Sequence, residues 1–311
     1  MSVLCLGEAL IDLFCERPVA GLKDADSFVP HCGGAVSNAA VTAARCGAEV
    51  SLGGGVGDDE WGDWLEQRLR AHGVGLRWLA RLEGFPTPLA FVLVNEAAEP
   101  DFVVYGEGIE AGILSLEDRI EQAVSAHDAL LFGSNTLLGE RERSLTLRAR
   151  ELALASGRHV LFDPNLRMRR WQDRRAALEL TAAALAGATL LKVNRTEAEL
   201  LTGLSEPAAA AERLVEMGAG LVAVTLGPDG ALLRGAATAD APGVPARAVD
   251  TTGAGDVVTG VLTAALSTSG FSAQAAADAL GPAVAAAARA TEGWGALDSL
   301  PDEVAIRSAR P

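Results

Sequence analysis

Along the chain, apolar runs of strand length alternate with longer stretches whose apolar positions recur at the helical period. Residues 3–7, 48–53, 129–132, 159–162, 189–193 and 221–225 read as buried strands. Residues 36–46, 59–71, 141–155, 171–186, 196–201 and 207–217 read as helices. Strand and helix in this repeating order predict an α/β fold: a mainly parallel, doubly wound, Rossmann-like sheet with helices on both faces. Two regions break the rhythm. Residues 10–14 and 89–105 follow a period of two, and the second contains the turn Asn95-Glu96-Ala97-Ala98-Glu99-Pro100. They predict antiparallel strands forming a small β-sheet lid, inserted at about residues 10–31 and 86–111 of a single domain covering 1–311. An edge extension of the main sheet is the alternative.

Ligands of parallel sheets sit at the carboxyl ends of the strands. Polar residues fall there. Asp163-Pro164-Asn165-Leu166-Arg167 follows the strand ending at Phe162, Asn194-Arg195-Thr196-Glu197 follows Val193, and Leu226-Gly227-Pro228-Asp229-Gly230 follows Thr225. Each alone could be an ordinary loop; together they put carboxylates, amides, an arginine and a glycine turn along one rim.

Length and charge narrow the class. The 311 residues suit one large α/β domain with a small appendage. With 26 basic against 41 acidic residues, the net charge of -15 disfavours nucleic acid and anionic membranes as partners. It also repels nucleotide triphosphates, so a site for one must supply N–H donors, a metal and a few placed cations. Hydrophobic residues make up 49% of the chain, but no run is long and apolar enough to span a bilayer. The first seven residues lack a basic region and read as a strand, not a signal peptide. Cys5, Cys15, Cys32 and Cys46 form no Cys-x-x-Cys pair, and buried thiols are expected over disulfides or metal ligands. His31 beside Cys32 does not make a zinc site. The expectation is a soluble, cytoplasmic protein.

The densest chemistry is Asp250-Thr251-Thr252-Gly253-Ala254-Gly255-Asp256, followed at once by apolar Val257-Val258. Small residues at the mouth of a helix let backbone N–H groups surround an anion. Asp256 is then the base beside it, expected to stay ionised at neutral pH and to take a proton from an alcohol attacking phosphorus. A glycine-rich turn near a helix start is the plain alternative.

Those seven positions resemble the second signature of the ribokinase-like sugar kinases, the family also named after a minor phosphofructokinase (PfkB). Their first signature is matched by Gly33-Gly34-Ala35-Val36-Ser37-Asn38-Ala39-Ala40 and then by Gly53-Gly54-Gly55-Val56-Gly57-Asp58. The family's Asn-x-x-Glu stands at Asn194 to Glu197, and its Thr-x-Gly-x-x-Gly at Thr225, Gly227 and Gly230. Gly7-Glu8-Ala9-Leu10-Ile11-Asp12, and Asp163 to Arg167 with Trp171 beyond, are most similar to the fructokinase and 2-keto-3-deoxygluconate kinase branch.

The resemblance implies an ATP-dependent kinase of a small sugar. It makes Asp256 the base and the N–H groups of Gly253, Ala254 and Gly255 the anion hole. It assigns Asn165, Asn194, Glu197, Thr225, Gly227 and Gly230 to the nucleotide side, with Asn194 and Glu197 acting on Mg²⁺ and its water shell. Asp250 and Thr252 would offer oxygens to a monovalent cation, usually potassium, whose other ligands in residues 291–299 the sequence does not assign. Asp12, Gly33, Gly34 and Asn38 would hold the sugar, joined by Tyr105 and Arg167. Arg167 can face a sugar oxygen, a substrate carboxylate or a phosphate.

Two departures bear on substrate. Val257-Val258 replaces the family's usual Ala-Phe and implies local repacking only. The second lid segment reads Ala98-Glu99-Pro100-Asp101 and then Tyr105-Gly106-Glu107, without the two arginines common in fructokinases. A substrate carboxylate would want that cation, so a neutral sugar, fructose first, is expected; 2-keto-3-deoxygluconate is the alternative. A non-catalytic sugar- or nucleotide-binding protein of the same fold is the reading from another class. A dinucleotide enzyme lacks its glycine motif after the first strand. An apolar face on an exposed lid needs cover, so a homodimer through the lid is a further expectation.

Overall fold

The computed structural model describes residues 1–298 and Leu300. Thirteen strands run in chain order among the described residues: β1 (Ser2–Leu6), β2 (Leu10–Phe14), β3 (Val29–Gly33), β4 (Glu49–Gly57), β5 (Gly75–Leu82), β6 (Leu89–Val94) and β7 (Pro100–Tyr105) lead. They are followed by β8 (Ala129–Gly133), β9 (His159–Asp163), β10 (Leu190–Asn194), β11 (Leu221–Thr225), β12 (Gly230–Gly235) and β13 (Ala239–Pro242). Nine of them form one sheet in the order β13-β12-β11-β10-β9-β8-β1-β4-β5. All its pairings are parallel except β11 with β12 and β12 with β13. The chain moves from β1 through β4 to β5 on one side, then returns to β8 on the other and moves outward to β11. That reversal between β1 and β8 opens a crevice at the carboxyl ends of the strands.

The helices are α1 (Ala35–Arg45), α2 (Glu60–Ala71), α3 (Glu107–Leu114), α4 (Ile120–Ser125), α5 (Glu140–Ala155), α6 (Arg174–Leu185), α7 (Arg195–Thr202), α8 (Pro207–Glu216), α9 (Ala254–Thr268) and α10 (Ala273–Ala290). Alternation along each strand divides the core between the two faces. Val3 and Cys5 pack with residues of α1, α2, α9 and α10, while Leu4 and Leu6 pack with those of α3, α4, α5, α7 and α8. Near-continuous burial of β1, β8 and β10 follows from this two-sided cover. The predicted helices end within a few residues of their expected limits. Asp173 accepts from the N–H groups of Arg175 and Ala176, which starts α6 at Arg174 instead of 171.

The remaining four strands form a separate small sheet, ordered β3-β2-β6-β7. It is not an edge extension of the large one. β2 and β6 pair parallel, whereas an antiparallel arrangement was expected throughout; the other two pairings are antiparallel. Since β2 leaves directly from the end of β1, this sheet stands beside the crevice.

Candidate active site

Asp256 lies in the first turn of α9 and is 5% exposed. Asn38 Nδ2 donates to its Oδ2 at 2.9 Å, and Asn165 Nδ2 donates to its Oδ1 at 3.0 Å. Asn38 reaches it because α1 and α9 pack closely: a Cβ on Gly260 would lie 2.4 Å from Thr42 Cβ. Burial, and next the carboxylate of Asp163, push the Asp256 carboxyl up to about 7, against the opposing charge of Lys192. This corrects the expectation of a base fully ionised at neutral pH. The amide side chains, not the N–H nest, hold this carboxylate, and desolvation outweighs them.

The turn before α9 is shaped for close approach. Gly253 adopts φ +74°, and a Cβ there would meet Ala296 Cβ at 2.1 Å. The Ala254 N–H donates to Thr251 O at 3.3 Å. Among the first N–H groups of a helix, which lack partners within it, such a turn leaves donors for an anion.

Asp12 is the second buried acid, 3% exposed on β2. Its carboxylate occupies the space over Gly33, where a Cβ would sit 2.2 Å from Oδ2. Burial, then the charges of Asp256 and Asp250, raise it to about 8, with His31 and Arg167 acting the other way. Gly34 is equally confined: a Cβ would lie 2.5 Å from Glu8 O. Asn38 Oδ1 is buried with no partner among the described residues, so this end of the crevice presents an unmatched acceptor.

Strand register corrects one expected site residue. Asp12 pairs with Ala90 and Ala90 with Val104, so Asp12, Val104 and Phe102 share a face of the small sheet. Tyr105 falls on the opposite face, 57% exposed, with its ring edge-on to Phe91 at 6.0 Å. Phe102 takes its place on the Asp12 side, and the Arg167 guanidinium carbon lies 5.2 Å from that ring's centre.

Glu197 also differs from expectation. It is 3% exposed; its Oε1 accepts from Leu166 N at 2.7 Å and its Oε2 from Asn194 N at 2.8 Å. Asn194 Oδ1 accepts from Glu197 N at 2.9 Å, completing a capping box at the start of α7. Glu197 therefore clasps the loop after β9 to the end of β10, and both of its oxygens already face N–H donors. Thr225 pairs with Asn194 at the end of β11, on the same rim. At Gly230 a Cβ would lie 2.1 Å from Ala241 O, a backbone need of the turn itself, whereas at Gly227 it would meet nothing within 4 Å.

Asp250, 1% exposed, accepts from Thr252 N and Oγ1 at 2.9 and 2.6 Å and from Gly295 N at 3.1 Å. Burial raises its carboxyl despite these bonds. Thr291 O accepts from the N–H groups of Val249 and Asp250. The same loop meets the small sheet through His31, 2.5 Å from Asp298 Oδ2 and 3.0 Å from Glu16 Oε1. Burial would lower the imidazole, but the two carboxylates outweigh it and hold it above its usual value. Ser299, within the segment expected to supply cation ligands, lies outside the described residues.

Three residues not singled out for a role, Asp163, Lys192 and Thr259, form a buried network beneath the turn. Lys192 Nζ lies 3.2 Å from Asp163 Oδ2, to which Thr259 Oγ1 donates at 2.5 Å. The available signal was a lone charge inside the apolar run Leu190-Leu191-Lys192-Val193.

A family model of pfkB family carbohydrate kinases matches residues 1–303. The chain belongs to that family. Fructokinase-1 of Oryza sativa subsp. japonica is 34% identical over 266 residues, covering 84% of this chain and 81% of that protein. Among solved structures, a fructokinase double mutant from Vibrio cholerae O395, in a fructose, ADP and potassium ion bound form, aligns with TM-score 0.86 at 26% identity, over 100% of this chain and 98% of that one. Aminoimidazole riboside kinase from Salmonella enterica, complexed with aminoimidazole riboside and an ATP analog, aligns with TM-score 0.84 at 28% identity over all of both chains. This carbohydrate kinase thus shares its fold with relatives of differing sugar specificity.

Proposed function

We propose that this kinase transfers the γ-phosphoryl group of ATP to a hydroxyl of a small neutral sugar, with fructose the first candidate. The observation that carries the reading is Asp256, buried at the start of α9, gripped by Asn38 and Asn165 and coupled electrostatically to Asp12. Asp12 and Asn38 Oδ1 orient the sugar, Gly33 and Gly34 let it approach, and Asp256 takes the proton of the attacking hydroxyl. The P–O bond to the sugar forms as the bond to the β-phosphate's bridging oxygen breaks, and ADP leaves with that electron pair. The N–H groups of Gly253 and Gly255 face the charge on the transferring group, that of Ala254 being turned to Thr251 O, while Thr225 and Gly227 line the nucleotide.

Magnesium, when bound with ATP, neutralises phosphate charge. The oxygens of Glu197 already accept N–H donors, so this residue holds the loop after β9 to the Asn194 end of β10 and does not itself ligate the metal. A monovalent cation fits the Asp250 and Thr252 oxygens, since Asp250 is a buried carboxylate whose partners, Thr252 and Gly295, are neutral. We further read the chain as one kinase domain whose small sheet is a lid, closing over sugar to exclude water. Phe91 with exposed Val103 and Tyr105 on its outer face suits a homodimer through the lid. No helix among the described residues is long and apolar enough to cross a membrane, and Cys5, Cys15 and Cys32 are buried thiols. These unpaired thiols support a cytoplasmic enzyme.

A second reading has its own observation. Arg167 over Phe102, and Arg170, which bonds Asn135 Oδ1 at 2.9 Å, bring two guanidinium groups from one loop to the sugar side. They supply the cation the lid lacks, which favours a sugar acid such as 2-keto-3-deoxygluconate. Coupled ADP release across neutral sugars, sugar acids and nucleosides decides: fructose turnover supports the first reading, turnover of sugar acids alone the second. No turnover of any acceptor overturns both.

A further inference from the structure

Lys192 breaks the pattern of its strand. In β10, Leu190 packs in the core on the α9 side, and Leu191 and Val193 pack on the other. Alternation points Lys192 toward α9, where an apolar side chain would fill the position without desolvating a charge. It is 4% exposed, and among the described residues no other lysine or arginine is buried. The composition sharpens the point: of 26 basic residues, only Lys23 and Lys192 are lysines. A chain built on arginine places a compact ammonium here, where a planar fork with five donors would need more room and more partners.

The surroundings define its task. Nζ sits 3.2 and 3.4 Å from the two oxygens of Asp163. It abuts the first turn of α9 so closely that a Cβ on Gly255 would lie 2.6 Å from it. Thr259 Oγ1 donates to Asp163 Oδ2 and lies 3.2 Å from Gly255 O, so ammonium, carboxylate, hydroxyl and turn are one unit. Glu197 and Asp256 add two more nearby carboxylates. We propose that Lys192 is a positioning residue for phosphoryl transfer: its ammonium, pinned by Asp163 against Gly255, sets a fixed positive charge beneath the anion-binding turn and holds the charge balance around Asp256. The inference rests on the reading of Asp256 as the base.

The charged groups facing Asp256 are Asp12, Asp163, Lys192 and Arg167, beside the amides of Asn38 and Asn165. Asp163 disfavours the ionised base and Lys192 favours it. Removing each must therefore move the base in opposite directions, which a purely structural role for Lys192 does not require.

The test is the pH dependence of kcat/KM, with the sugar that the panel identifies, in four full-length proteins: wild type, Lys192→Met, Asp163→Asn and the double variant. The acid limb moves to higher pH in Lys192→Met, to lower pH in Asp163→Asn, and back near wild type in the double variant. The plateau kcat of the double variant stays down by about tenfold or more, since the ammonium under the turn is gone. Lys192→Met leaves Asp163 buried without its partner and is the variant most prone to misfold. If it does, the comparison of the double variant with Asp163→Asn isolates the ammonium: a higher limb in the double variant supports the inference, and coincident limbs overturn it. Limbs that do not move in any variant also overturn it. Asp256→Asn separates the two levels: full activity in that variant overturns the base itself, whereas a dead Asp256→Asn with immobile limbs overturns Lys192 alone.

Discussion

Asn165 and Asp256 stand 91 positions apart in the chain, and Asn165 Nδ2 donates to Asp256 Oδ1 at 3.0 Å. Asn165 does so from a left-handed backbone, φ +45°, a conformation asparagine tolerates better than most residues. Its amide thus aims the carboxylate from the loop after β9 while Asn38 aims it from α1. Asn165→Gly keeps the backbone and removes the donor. It should lower kcat about tenfold with little change in thermal stability, and it should move the acid limb of kcat to higher pH, because a hydrogen bond to the ionised form is lost. Steady-state kinetics beside a melting curve checks this.

Asp12 makes a pH-dependent demand on stability. Its carboxyl rises from 3.8 to about 8 on folding, chiefly through burial. A carboxyl raised in the folded state contributes fully below its unfolded value and loses that contribution as pH climbs through the folded one. Asp12→Asn escapes the loss. Its melting temperature should match wild type near pH 4 and exceed it by on the order of 5 °C at pH 9. An equal difference at both pH values would show that Asp12 is not desolvated.

Gly33 gives up its side chain to Asp12. An added methyl would lie 2.2 Å from Asp12 Oδ2 and 2.3 Å from Cγ, so the carboxylate must swing away. Gly33→Ala should raise KM for the sugar by about tenfold, the loss of one or two hydrogen bonds from the Asp12 carboxyl, with KM for ATP nearly unchanged. A matching rise in both constants would place the damage elsewhere.

Glu197 is a clasp between two loops. In Glu197→Gln one acceptor is replaced by an amide NH₂, leaving the N–H of Leu166 or Asn194 without its partner. Denaturant unfolding should show a loss of about 1–3 kcal/mol. The half-saturating magnesium concentration should stay within about twofold of wild type, because the carboxylate acts on the loop. A large rise in that concentration at unchanged stability would assign Glu197 to the metal directly.

Local patterning made much of this legible. Buried strands such as β1, β8 and β10 read directly as apolar runs, and the small sheet announced itself through the period-two segments of β2, β6 and β7. β3, with Pro30 and His31 in five residues, carries no such pattern and is held by its register with β2. The motifs named the residues that meet at the crevice, but not their partners. Tyr105 and Phe102 differ in role only through strand facing, which an odd offset reverses. Lys192 meets Asp163 across 29 positions and Asp163 meets Thr259 across 96, contacts that sheet order creates. Asp256 looked ionised because the sequence shows its neighbours' N–H groups and not its burial.

The central claim is that Asp256 removes the proton of the attacking hydroxyl. Its most direct test is the pH profile of ADP release, with the accepted sugar at saturation, in wild type and Asp256→Asn. Wild-type kcat should rise through about pH 7, where the folded carboxyl ionises, and the variant should lose at least about 10²-fold with that rise abolished. A variant that keeps wild-type turnover, or a decline that leaves the same rise in place, would contradict the account.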